Sequence, residues 1–236
     1  TEVNDLNSGR SGIGSTGQAP QTAALGFGGV DTAVRAFVES WNGSSWTETT
    51  DLNTARSRLN GAGITTAGLA FGGSTDDGST VVGVTESWNG SAWTETGDLN
   101  TARARLTGAG TYTAAIAAQG GPSNTAATEI FNGSSWTEVA DLNTVRAAAS
   151  PSAAGTSTSA VVFGGTTPGP GITGKTESWN GTSWTEIVDL ATARTWGGGL
   201  GTSSSSLMFG GASPPTVASV EELTVDAAVG AWATSA

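Results

Sequence analysis

The side chains with a claim to acid–base chemistry are the carboxylates. There are 20 of them against 9 lysines and arginines, a formal balance of −11. Cleaving a glycosidic bond, for example, needs two or three carboxylates around one pocket. Their spacing argues against that use. Most recur at matching places: Asp5, Asp51, Asp98, Asp141 and Asp189; Glu39, Glu86, Glu129 and Glu177; Glu2, Glu48, Glu95, Glu138 and Glu186. One active site has no use for five copies of a residue. The chain has no cysteine and no histidine. Disulfides, Cys/His zinc sites, haem and iron–sulfur ligation and His-based triads are therefore excluded. A metal would need oxygen ligands only. No phosphate-cradling or dinucleotide fingerprint is present, so no cofactor and no metal are expected.

The basic residues are more suggestive. Arg10, Arg56, Arg103, Arg146 and Arg194 each follow an Asp-Leu pair by the same interval. A guanidinium with five fixed donors can tie loops to neighbouring carboxylates. It can equally face a carboxylate- or phosphate-bearing ligand. Both readings stand at this point, and the five arginines are candidates for a ligand-facing ring. Trp196 joins them, because it stands where the other units have Gly12, Arg58, Arg105 and Ala148. It could stack on a sugar or base, or plug a channel. The stretch at residues 74–80, STDDGST, is like an Asp-box but occurs once and lacks the closing tryptophan; a calcium loop there is a weak expectation. The Asn-Gly-Ser/Thr triplets at Asn42, Asn89, Asn132 and Asn180 match the N-glycosylation pattern, yet a tight turn explains them fully.

These residues are positioned by a repeat. Asp-Leu recurs at Asp5, Asp51, Asp98, Asp141 and Asp189, at intervals of 46, 47, 43 and 48. The units run at about 5–50, 51–97, 98–140, 141–188 and 189–236, with residues 1–4 expected to close the ring beside the last blade. Within the second unit come Leu59 to Ile64, Ala67 to Phe71, Gly72-Gly73, Thr85 to Trp88, Asn89-Gly90 and Ser91 to Glu95. Short runs bounded by turn residues, without helical period, read as strands. Asn-Gly between two such runs predicts a type I′ hairpin. Four strands per unit, five times, predict one all-β domain: a five-bladed β-propeller of four-stranded antiparallel blades. Glycine and alanine in the first strand suit close approach near the axis, and the tryptophans of the outer strands suit blade-to-blade packing.

The pattern resembles the kelch repeat. The resemblance rests on Arg56, Gly72-Gly73, Glu86-Ser87-Trp88 and Trp93 in the second unit, and on their counterparts along essentially the whole chain. It departs from the kelch pattern in placing Trp41, Trp88, Phe131 and Trp179 where tyrosine is usual. The fifth unit drifts most, with Val220 to Val225 as its third strand and Trp232 in its fourth. The resemblance implies a kelch-like propeller. Copper-oxidase relatives of that kind use histidine and tyrosine ligands, and this chain offers only Tyr112.

Name the four strands of a blade A to D. The B–C and D–A connections then share one face, and the A–B and C–D turns the other. The B–C loops, at residues 30–38, 74–84, 122–127, 166–175 and 212–220, differ most among units. Diverged loops on a uniform frame suit recognition. Strands A and B, within residues 11–26, 57–70, 104–118, 147–162 and 195–208, carry no Asp or Glu, so no enzyme is expected. The expected function is a non-catalytic binding or display module whose protein or glycan ligand meets the B–C loop face. It would belong to a larger surface, secreted or virion-associated protein. The alternative is a multivalent lectin with sugar sites between blades. The acidic balance without a basic run argues against nucleic acid. No apolar run reaches the ~20 residues of a membrane span, so no membrane insertion is expected.

Overall fold

The computed structural model describes residues 3–17, 20–148, 154–213, 216, 218–225 and 230–234. Its named elements are all strands, in five four-stranded sheets that follow the sequence order. Blade 1 holds β1 (Gly14–Ser15), β2 (Ala24–Phe27), β3 (Val38–Trp41) and β4 (Trp46–Glu48). Blade 2 holds β5 (Asn60–Ile64), β6 (Ala67–Phe71), β7 (Thr85–Trp88) and β8 (Trp93–Glu95). Blade 3 holds β9 (Thr107–Thr111), β10 (Ala114–Gly120), β11 (Thr125–Phe131) and β12 (Trp136–Glu138). Blade 4 holds β13 (Ala154–Thr156), β14 (Ser159–Phe163), β15 (Thr176–Trp179) and β16 (Trp184–Glu186). Blade 5 holds β17 (Gly198–Gly201), β18 (Ser205–Phe209), β19 (Val220–Val225) and β20 (Gly230–Thr234). The fold is the expected five-bladed β-propeller.

The chain divides into two compact units. One is Thr1–Ala104 with Gly110–Ala115 and Phe131–Thr137; the other is Arg105–Ala109 with Ile116–Ile130 and Glu138–Ala236. In the first, Leu25, Phe27 and Val38 of blade 1 pack with Leu59, Ala70, Trp88 and Trp93 of blade 2. In the second, Ile116 and Ala118 gather with Ala160, Val162, Trp179 and Trp184. A further cluster there joins Val161, Phe163 and Leu190 to Met208 and Leu223. The large apolar side chains thus sit between successive sheets, as the repeat requires.

The small residues of strand A have a local cause. A Cβ on Gly61 would lie 2.4 Å from the Phe27 ring of the preceding blade and 2.7 Å from the Ser15 carbonyl oxygen. Real carbons do not approach so closely, so glycine lets one blade's phenylalanine press on the next blade's first strand.

The C–D turns correct the sequence reading. Trp41 pairs with Trp46, Trp88 with Trp93 and Trp179 with Trp184, so each turn holds four residues rather than two. Of each Asn-Gly pair only the glycine has positive φ, at +94° to +98°. A type I′ turn needs both. The asparagine serves instead through its side chain. Asn42 Oδ1 accepts from the backbone N–H groups of Ser44 and Ser45 and from the Ser44 hydroxyl, each at 2.9 Å. The same bonds recur at Asn89, Asn132 and Asn180. Asparagine is chosen here as an acceptor for two amides that the loop would leave bare.

The fifth blade keeps its drifted strands, and β19 pairs with β20 from Glu221 with Thr234 to Val225 with Gly230. Of the expected ring-closing tail, residues 1 and 2 lie outside the described residues. Val3 and Asn4 form no strand.

Candidate binding face

The repeated segment between strands D and A, typified by DLNTAR, resolves into five jobs. Its aspartate accepts from the first strand-C amide of the preceding blade: Asp98 from Thr85 at 2.9 Å, Asp189 from Thr176 at 3.1 Å. Its leucine is buried, at Leu52, Leu99, Leu142 and Leu190 alike. Its asparagine amide N–H donates to the strand-C glutamate of its own blade: Asn53 to Glu86 and Asn143 to Glu177, both at 2.7 Å. The asparagine side chain reaches the carbonyl of the strand-D tryptophan, as Asn53 does for Trp93 at 3.1 Å. The arginine completes the set.

That arginine is not at the surface. The side chains of Arg10, Arg56, Arg146 and Arg194 are fully buried and ion-paired with Glu39, Glu86, Glu177 and Glu221. The distance is 2.9 Å for Arg56 and 2.7 Å for Arg146. Arg103 and Glu129 are equally buried in blade 3. The guanidinium also donates to backbone carbonyls, such as Gly164 at 3.2 Å and Lys175 at 2.6 Å from Arg146. The backbone carbonyl of the same arginine accepts from the second glycine of the preceding blade's pair, as Arg56 does from Gly29 at 2.9 Å and Arg194 from Gly165 at 2.9 Å. The five arginines expected as a ligand-facing ring therefore point into the sheets. The physical reason is reach: the long side chain turns back beneath its own strand C, where a buried carboxylate and bare carbonyls await its donors. Burial pushes the Arg56 guanidinium down to about 10, with Glu86 pulling the other way, so it stays charged at neutral pH.

The chemistry nearest the surface lies two residues further on. Gly12, Arg58, Arg105, Ala148 and Trp196 all have left-handed backbones, with φ of +64°, +55°, +57°, +51° and +60°. Four of the five are not glycine, and each costs of order 1 kcal/mol. In the first unit, Arg58 N–H donates to the Gly12 carbonyl at 2.6 Å. In the second, Ala148 N–H donates to Arg105 O at 3.1 Å and Trp196 N–H to Ala148 O at 3.2 Å. These links hold the strained turns in series. Their side chains diverge. Arg58 pairs with Asp77 of its own blade's B–C loop at 3.1 Å. Arg105 lies with its guanidinium carbon 5.7 Å from the centre of the Trp196 ring. Trp196 is 54% exposed. Of the expected site residues, then, only Trp196 is displayed. Arg58 and Arg105 were missed; the signal was their place in register with Trp196, at a position where the units disagree.

The B–C loops of the first unit are built, not slack. Asp76 accepts from Ser79 N–H, Thr80 N–H, and the Thr80 and Ser74 hydroxyls. Those bonds, the Thr80 amide first, hold its carboxyl well below the usual range. Asp31 likewise gathers the Arg35 side chain and the Thr32 and Ala33 amides, and is held low mainly by Arg35. Both carboxylates of the 74–80 stretch are committed, Asp76 to its own loop and Asp77 to Arg58 and Ser57. The expectation of a calcium loop gains nothing from this geometry. Among the described residues no group of three carboxylates could hold a metal ion.

The Arg10–Glu39 pair makes stability acid-sensitive. Burial by itself raises the Glu39 carboxyl, but the Arg10 bond and the Asn7 amide outweigh it, and the net pKa is lowered from 4.5. A lowered folded pKa means stability present above the unfolded value and lost as pH falls through the folded one. Urea midpoints measured from neutral pH to about pH 3 are expected to hold steady and then fall below about pH 4.5. Glu39→Gln should lower the plateau and flatten that fall. An unchanged slope in the variant refutes the assignment.

No family profile and no curated protein sequence matches the chain. Solved structures do. The structure of YjhT superposes with a TM-score of 0.80 at 14% identity, covering 96% of this chain and 85% of that one. A likeness at that identity establishes the propeller fold.

Proposed function

We propose that this chain is a non-catalytic binding or display module, built of kelch-like blades, whose protein or glycan ligand meets the face formed by the B–C loops and the starts of the A strands. The observation that carries this reading is the strained backbone repeated at one place of each blade. The fold accepts glycine there, as Gly12 shows, yet the chain keeps Arg58, Arg105 and a displayed Trp196 in the same left-handed backbone. Strain kept under a displayed tryptophan and two half-buried arginines, where glycine would relieve it, points to a site. The absence of carboxylates from strands A and B supports binding without turnover. The acidic balance disfavours nucleic acid, and the Ser/Thr/Gly/Asn surface suits a place on a larger secreted, surface or virion-associated protein. The alternative, sugar sites repeated between all blades, has less support. The junctions at Phe27 with Trp93 and Phe71 with Trp136 are filled by ring contacts at 5.5 and 5.0 Å.

A glycan array probed with wild type and Trp196→Ala tests the reading. Hits on the wild type should weaken at least ~10-fold in the variant, with array glycans recovered intact by mass spectrometry. Hits unaffected by the variant remove the ligand from this face, and cleaved glycans overturn the non-catalytic reading. A blank array with folded protein leaves a protein ligand, to be tested with the same variant.

A further inference from the structure

Five Asn-Gly pairs stand in the chain, at Asn42, Asn60, Asn89, Asn132 and Asn180. Their local sequence treats them alike, because glycine leaves its own nitrogen unshielded beside a side-chain amide. The fold divides them into one and four. Asn60 lies in β5 and is 6% exposed. Its glycine is paired with Ala70 of β6, and a Cβ on it would lie 2.4 Å from the Phe27 ring. The Gly61 N–H donates to Asn60 Oδ1 at 2.7 Å. This pair has neither water nor room to turn its backbone.

The other four stand at the C–D turns, and each asparagine is exposed. At Asn89, Asn132 and Asn180 the side-chain Oδ1 accepts from two backbone N–H groups and one hydroxyl, all at 2.9 or 3.0 Å. Asn42 repeats the set. The loop thus uses the oxygen of each amide and leaves the nitrogen over. Among the described residues Nδ2 of Asn89 and of Asn180 has no acceptor, and that of Asn132 reaches only the Ser135 hydroxyl at 3.3 Å. The backbone N–H groups of Gly90, Gly133 and Gly181 also have no acceptor among the described residues.

We propose that these four turns are sites of spontaneous deamidation through a succinimide, with Asn60 spared. Solvent base takes the glycine N–H proton, and the nitrogen bonds to the asparagine Cγ. The negative charge that develops on Oδ1 meets three donors already aimed at it, as in an oxyanion hole. The Cγ–Nδ2 bond then breaks, and the nitrogen leaves as ammonia with a proton from water. Water next opens the ring at either carbonyl. Opening at Cγ restores the chain with aspartate, and opening at the backbone carbonyl leaves isoaspartate. Each event takes up one water, releases one ammonia and adds one negative charge to a chain already at −11. The aspartate product keeps the turn, because its carboxylate accepts from the same two amides. The turns lie on the opposite face from the B–C loops, so they react in this way whatever binds there.

Peptide mapping by mass spectrometry tests this on protein held at mildly alkaline pH, folded and in urea side by side. In urea all five asparagines should convert at similar rates. In the folded protein the four turn asparagines should convert, each to aspartate and isoaspartate, and Asn60 at least ~10-fold more slowly than any of them. Asn89→Asp should keep the wild-type urea midpoint, whereas Asn89→Ala, with no acceptor for the two amides, should lower it. Turn asparagines that convert in urea but stay intact in the folded protein overturn the assignment, since the same hydrogen bonds would then lock the amide. Asn60 converting as fast as the turns overturns the ranking. Aspartate without isoaspartate overturns the succinimide route, and a midpoint as low in Asn89→Asp as in Asn89→Ala overturns the tolerance of the product.

Discussion

Arg56→Ala is expected to destabilise the protein by about 3–5 kcal/mol in urea unfolding, the range for removing one member of a buried ion pair. The substitution leaves the Glu86 carboxylate buried with only the Asn53 and Thr54 amides to hold it. It also strips donors from the Val84, Gly72 and Ala70 carbonyls. The charge left behind is the larger part of the loss. Arg56→Met with Glu86→Gln should therefore be more stable than Arg56→Met alone, since glutamine still accepts from Asn53 without burying a bare charge. The double variant should not reach wild type, because the carbonyls remain unserved. A single variant within ~0.5 kcal/mol of wild type is what an exposed arginine would give, and would return the arginines to a ligand-facing role.

Trp93→Ala is expected to cost about 3–5 kcal/mol, as large-to-small changes of buried aromatics do. It empties the space between Phe27 and Trp88 and unpairs the Thr50 carbonyl. Chemical denaturation of wild type and Trp93→Ala side by side reads the loss directly. A loss within ~0.5 kcal/mol of wild type is what an exposed ring would give, and would refute the blade-to-blade role of Trp93.

The two substitutions also divide what was legible from what was not. The tryptophan places were legible, because a residue recurring once per unit beside a turn must fill a repeated gap, and the gap between twisted sheets is wide enough only for large rings. The arginine's place was legible but its direction was not. Five regular copies fit a buried tie and an exposed ring equally well until the chain path showed Glu86 and its equivalents lying under the same strand. The Asn-Gly turns misled for a related reason. The dipeptide satisfies a two-residue hairpin, and only the pairing of Trp41 with Trp46 shows that the loop is two residues longer and uses the asparagine side chain instead.

The sequence by itself determined the number of blades, the order of strands, the carboxylate-free inner strands and the residue types at each framework place. Period, alternation and turn chemistry are local, and local signals survive in one dimension. Tertiary structure alone decided which side chains reach the surface. Arg56 and Arg58 lie two residues apart, and nothing in their spacing says that one turns under its sheet while the other stands on a left-handed backbone beside Asp77. Exposure depends on neighbours distant in the chain, so it exists only once the blades have packed.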